Sequence, residues 1–137
     1  MLVYEVIQEA LKKGKKAERV KVLKDNETWA LKDCLRGMYD ETVIWNLPPG
    51  EPPYQPNEGH NAPGNLLREN TKFKYLVPGG QGSKLPAVKR EAIFIGMLET
   101  VHPEDAKLLI NVINKTKIKG ITRPMINEAF PGLLKDE

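Results

Sequence analysis

The sequence predicts an all-α fold: a single compact helical domain of about six helices, interrupted by a long Pro-rich loop. Three observations predict it. Apolar residues recur at helical spacing through the first and last thirds of the chain. Gly, Pro, Thr and Asn stand where such segments start and stop. Most prolines gather in one stretch, 46–64, and leave the flanking segments free to be helical.

Each element follows from its own residues. Over 2–13, Val3, Ile7, Ala10 and Leu11 share one helical face with Val6 beside them, and Gly14 ends the run. A second helix is expected over 15–25, with Ala17, Val20 and Leu23 inward and the basic residues outward. Asn26 is placed to cap a third, running to about Tyr39 and burying Leu31, Cys34, Leu35 and Met38. The stretch 46–64 holds six prolines and three glycines, which argues against helix or central strand. Trp45 and Tyr54 are the residues expected to pin this loop to the core. Asn65-Leu66-Leu67-Arg68-Glu69 reads as helix, while Phe73-Lys74-Tyr75-Leu76-Val77 alternates like a short strand, so the middle of the chain allows at most a small strand pair. A flexible loop follows at 78–83. From Pro86 to about Val101, Ala92, Ile93, Phe94, Ile95, Met97 and Leu98 nearly encircle a helix, which is expected to be the central buried one. His102 and Pro103 open the next, with Glu104 and Asp105 favourably placed at the positive end of its dipole and Ala106, Leu109, Ile110 and Ile113 as its apolar stripe. The last helix runs from about Arg123 to Ala129 and stops at Phe130-Pro131-Gly132.

At 137 residues the chain is one domain, long enough to bury a core without staples or metals. Cys34 is the only cysteine, which excludes an internal disulfide and a thiolate metal cluster and suits a reducing cytoplasm. No apolar run approaches the roughly 20 residues of a membrane span, and the N-terminus lacks the basic flank of a signal peptide. The expected location is therefore cytoplasmic, with no membrane partner. Net charge is only +3, but its distribution is uneven: seven basic residues against one acid lie between Lys12 and Lys24.

The sharpest feature is the acid-free basic turn Asn114-Lys115-Thr116-Lys117-Ile118-Lys119-Gly120-Ile121-Thr122-Arg123. Gly120 suits a sharp turn, Thr122 a helix N-cap and Pro124 the first helical turn. Free N–H groups at a helix start, ringed by lysines, make phosphate the natural ligand. The alternative is a solvated turn between two core helices.

The chain resembles the N-terminal DNA-binding domain of ATP-dependent DNA ligases, the short phage-type members above all. In that family an aspartate-leucine-basic-Ile-Gly turn is followed by a helix and a Trp-Pro-Gly-Leu segment or close variant. Here Lys117-Ile118-Lys119-Gly120 leads into Ile121 to Phe130 and then Pro131-Gly132-Leu133. Ile7-Gln8-Glu9-Ala10, Arg19-Val20-Lys21-Val22-Leu23, and Leu31-Lys32 through Met38-Tyr39 resemble the first three helices. The likeness covers about two-thirds of the chain and skips 39–85. It departs from the family in three places: Lys119 is inserted between Ile and Gly, Lys115 or Thr116 stands at the aspartate position, and the Pro-rich loop is foreign to the pattern. The chain also resembles small proteins of tailed phages. The resemblance implies a stand-alone, all-α domain that grips duplex DNA across the minor groove, with Lys117, Ile118, Gly120 and Thr122 in the DNA-facing turn.

Enzymatic chemistry is not expected. The adenylated Lys-x-Asp-Gly of ligases is missing, and the sequence ends where their nucleotidyltransferase domain would begin. His60 and His102 have no metal-ligand spacing, Cys34 lies on an apolar stripe, and Gly79-Gly80-Gln81-Gly82-Ser83-Lys84 lacks the Gly-Lys-Ser/Thr ending of a phosphate loop. No cofactor and no metal are expected. The first functional expectation is thus a non-enzymatic, phosphate-led duplex DNA-binding protein. Its contacts are Lys115, Lys117, Ile118, Lys119, Gly120, Thr122 and Arg123, with Lys12, Lys13, Lys15 and Lys16 as a second patch. The second is a protein-interaction module, a phage or host replication factor, that uses the 46–64 loop with Trp45 and Tyr54.

Overall fold

In a computed structural model, residues 1–57, 66–78 and 84–136 are described. Two apolar-striped helices, α3 (Trp29–Tyr39) and α6 (Pro103–Ile113), pack against each other at the centre. Around them stand α1 (Val3–Lys12), α2 (Lys16–Asp25), α4 (Leu66–Glu69), α5 (Ala87–Thr100) and α7 (Arg123–Ala129). A 3-10 turn, Asn70–Tyr75, continues α4. Helix α1 lies against α2 and α6, α5 against α6, and α2 against α7. Among the described residues there is no extended strand, so the fold is all-helical.

The helix boundaries follow local chemistry. Glu5 reaches back to accept from the Leu2 N–H at 2.8 Å and starts α1. Thr28 Oγ1, not Asn26, accepts from Leu31 N at 3.1 Å and caps α3. Asn26 instead donates back to the Val22 carbonyl at 2.8 Å and closes α2. His102 caps α6, its Nδ1 accepting from Glu104 N at 3.0 Å. Helix α6 ends in a Schellman motif: Lys115 N donates to Val112 O at 3.1 Å and Thr116 N to Asn111 O at 2.9 Å.

Three expectations are corrected. The alternating segment 73–77 is no strand. Its first residues finish the 3-10 turn, which places Phe73 and Leu76, three residues apart, together in the core. Helix α5 is not the central one: it buries Phe94, Met97 and Leu98, while Ala92 is exposed and Ile93 and Ile95 are half-buried. Helix α3 takes that place, with Ala30, Leu31, Cys34, Leu35, Gly37, Met38 and Tyr39 all buried. Ala17 also faces solvent, because α2 turns only Val20 and Leu23 inward.

The Pro-rich segment is described through Asn57 and is tied down as expected. Trp45 Nε1 donates to the Gly37 carbonyl at 3.1 Å, and its ring meets Phe73 edge-on at 5.3 Å. Tyr54 packs against the core. The remainder of the loop, with His60, and the glycines of 79–83 lie outside the described residues.

Candidate nucleic-acid interface

The basic turn after α6 is built around Tyr39. Its hydroxyl donates to the Ile121 carbonyl at 2.6 Å and accepts from the Ile118 N–H at 3.0 Å. This anchor lies at the end of α3, and it bends 118–121 over the core. Ile121 is buried beneath the turn, and Gly120 carries the positive φ, +96°, that the sequence anticipates. A Cβ on Gly120 would sit 2.8 Å from Arg19 Nη1 and 2.9 Å from Leu11 Cδ2. The positive φ is what calls for glycine at this turn, while the Arg19 and Leu11 side-chain ends lie close against it.

That contact joins the two basic segments. Arg19 donates from Nε to the Lys13 carbonyl at 2.8 Å and from Nη1 to the Gly120 carbonyl at 2.8 Å. One guanidinium thus clasps the end of α1 to the turn before α7. The Lys13 backbone, in the turn that carries Lys12, Lys13, Lys15 and Lys16, is thereby linked to the turn that carries Lys117 and Lys119. Of these, Lys15, Lys16 and Lys119 form no ion pair among the described residues, and all three are exposed. Lys12 and Lys13 share Glu9 at 3.7 and 3.5 Å, and Lys117 lies 4.0 Å from Glu41. Exposed pairs at these separations hold their partners weakly and leave them open to a stronger anion.

Two of the expected contact residues do something else. Lys115 turns inward, and its Nζ donates to the Gly37 carbonyl at 3.0 Å and the Asp40 carbonyl at 2.6 Å. Burial lowers its pKa, partly offset by the nearby carboxylates of Glu41, Asp40 and Asp136. Arg123 donates to Asp136 Oδ1 at 2.7 Å and to the Tyr39 carbonyl. Both cations cap the C-terminus of α3, where carbonyls lack intrahelical partners and the dipole is negative. They are framework, not a free charged surface.

The expected phosphate cradle at the start of α7 is also corrected. Thr122 is the N-cap, its Oγ1 accepting from Met125 N at 3.4 Å. Pro124, however, has no N–H, and Met125 N is already engaged, so the short helix presents no fork of free donors. Ile118 is half-buried rather than displayed.

Sequence reasoning missed the residues that hold the site together. Arg19, Tyr39 and Asp40 lie far from the basic turn along the chain. Asp40 is fully buried at the end of α3. Burial alone would raise its carboxyl pKa, but donors from Thr42 Oγ1 at 2.6 Å, Lys135 N at 2.7 Å and Thr42 N at 2.8 Å, helped by Arg36, outweigh burial and hold it at about 2. The one legible signal was Asp40-Glu41-Thr42, an acid two residues before a hydroxyl, which is a turn-forming pattern.

Cys34 is fully buried, and burial pushes its thiol far above the ordinary range. No cluster of three or more His, Cys, Asp or Glu side chains able to hold a metal occurs among the described residues. No helix among them is long and apolar enough to cross a membrane.

Residues 6–119 match one family model, a family of unknown function (DUF6433). The chain belongs to this family. The match takes in both basic segments as far as Lys119, along with α3 and α6, and so includes Arg19, Tyr39, Asp40 and Lys115. No curated protein matches the sequence.

Proposed function

We propose that this chain is a non-enzymatic duplex DNA-binding protein whose contacts are led by phosphates. The observation that supports the reading is the Arg19 clasp, which bridges the Lys13 and Gly120 carbonyls and so brings the backbones of two lysine-rich turns together. Its contact set is narrower than the sequence suggested: Lys12, Lys13, Lys15, Lys16, Lys117 and Lys119. Point charges on flexible stems, with no planar fork among them, favour phosphate contact over base readout. The likeness to ligase DNA-binding domains is the reason for expecting a duplex, and it remains part of the proposal.

The test is fluorescence anisotropy with a labelled duplex at low and moderate salt. Micromolar or tighter binding that weakens steeply with salt is expected. A Lys117→Glu, Lys119→Glu double variant should lose more than tenfold in affinity while its unfolding temperature holds, since both side chains are exposed. Unchanged affinity would remove this turn as the site, and no binding even at low salt would sink the reading.

A second reading, a protein-interaction module using the Pro-rich segment, is favoured by one observation. An apolar cleft of about 400 Å³ runs between that segment and α5, lined by Leu47, Pro49, Pro52, Phe94, Ile95 and Ile113 among others. The lysine variants separate the two readings, because under this one they leave partner binding intact.

A further inference from the structure

Beside the end of α3 the chain holds one of its own carboxylates between two donors. Arg123 Nη1 donates to Asp136 Oδ1 at 2.7 Å, and the Glu41 N–H donates to Asp136 Oδ2 at 2.9 Å. A guanidinium and a backbone N–H, each serving one oxygen, suit an oxyanion with spread charge, phosphate as well as carboxylate. The pair holds the ionised form. The bond from Arg123, and after it the one from Glu41 N–H, lowers the Asp136 pKa against burial and the nearby charge of Asp40.

The carboxylate arrives on a separate segment, 133–136. Leu134 is buried, and Lys135 N donates to Asp40 Oδ2 at 2.7 Å. These two anchors lay the segment across the end of α3 like a strap.

The clamp lies at the surface. The Arg123 side chain is 28% exposed and that of Asp136 10%. The Glu41 side chain points to solvent, with Lys117 Nζ 4.0 Å from its Oε1. An outside anion can therefore reach both donors once the carboxylate withdraws. Local charge would favour it. Arg123, Lys115 and Lys117 gather here against Asp136, Asp40 and Glu41, and Arg36 also compensates Asp40. Asp136 is the acid that brings this group close to balance.

We propose that Asp136 is the built-in occupant of a phosphate site. Its carboxylate fills the clamp of Arg123 and the Glu41 N–H, and the strap withholds that clamp from a DNA phosphate beside Lys117. The DNA clause rests on the function proposed above; the phosphate site does not.

Two titrations of the full chain test this, each with Asp136→Ala, which removes the carboxylate and leaves the Lys135 backbone anchor. The first adds inorganic phosphate at constant ionic strength and follows the Glu41 amide and the Arg123 Nε–H by NMR. Saturable shifts of both are expected in Asp136→Ala and not in the native chain. Their absence from the variant would overturn the site. The second measures binding to a labelled duplex by anisotropy. Asp136→Ala should bind several-fold more tightly, with a salt slope steeper by about 0.9, the increment of one further phosphate. Adding Arg123→Gln to that variant should remove the gain, while Arg123→Gln in the native chain should leave affinity unchanged. A gain that survives Arg123→Gln would reflect only the loss of a negative charge and would overturn the strap. Arg123 also donates to the Tyr39 carbonyl, so its variant can fail to fold. The phosphate titration needs no Arg123 variant and decides the site in that case. Phosphate shifts in Asp136→Ala, with no DNA binding by either chain, would uphold the site and sink the DNA reading alone.

Discussion

Lys115 shows how one residue can be read correctly as a cation and wrongly as a ligand. It adopts φ +54°, a left-handed conformation that glycine takes freely and lysine resists by about 1–2 kcal/mol. Its ammonium offsets that strain by bonding two carbonyls at the end of α3. Lys115→Ala should therefore lower stability by about 1–3 kcal/mol in urea unfolding. Lys115→Gly should cost about 1 kcal/mol less, because it relieves the backbone while losing the same bonds. Lys119→Ala should stay within about 0.5 kcal/mol, as an exposed side chain without a partner does. Asp40 carries a different prediction. Its folded pKa of about 2 lies below the ordinary carboxylate value, so its stabilisation is complete above about pH 4 and is lost as pH falls toward 2. Asp136, lowered by its bond from Arg123, acts in the same direction. Asp105 has the opposite sign: raised by burial, it favours folding when protonated and loses that contribution as pH rises. Acid titration of unfolding should thus show the native chain weakening between about pH 4 and 2. Asp40→Asn should flatten that limb, and a limb of unchanged steepness would contradict the role given to Asp40.

Among the elements, α3 matters most, and its C-terminus is the junction of the molecule. Lys115, Arg123 and Trp45 all donate to its last carbonyls, and Tyr39 holds the basic turn. Gly37 makes the approach of Trp45 possible: a Cβ there would lie 2.6 Å from Trp45 Cζ2 and 2.8 Å from Val112 Cγ1. Gly37→Ala should cost about 1–3 kcal/mol by overpacking. The same variant should change the tryptophan emission, since the ring of Trp45 must move, whereas Trp29 is exposed and reports little. Native emission and native stability in this variant would refute the close packing. Helix existence was legible throughout, because the apolar stripes of α1, α3 and α6 have the 3.6-residue period on their own. The rank of the helices was not. Helix α5 carries more apolar residues than its neighbours can cover, so Ile93 and Ile95 stay half-buried. The segment 73–77 was misread for a related reason: five residues alternate equally well as a strand and as a tight turn, and only the neighbours Trp45 and α3 choose.

For the whole molecule, the arrangement of charge counts for more than the net value of +3. If about four of the six surface lysines each neutralise a phosphate, log K should fall against log salt with a slope of about −3.6. A slope near zero would show that the lysine surface is not what holds DNA. By itself, the sequence determined the all-helical class, the positions of most helix ends, the need for glycine at 120 and the burial of Cys34. Those properties rest on local period, caps and backbone sterics, which a short stretch of chain carries within itself. Only the tertiary structure decided which cations are displayed and which are consumed. Lys115 and Lys119 are four residues apart in one basic run, yet one caps a helix that ended 76 residues before it and the other faces solvent. Likewise Arg19 became a clasp, and Asp105, placed at a helix start where the dipole favours an acid, became fully buried. Which partner a charge finds depends on segments distant in sequence, and no local pattern encodes that distance.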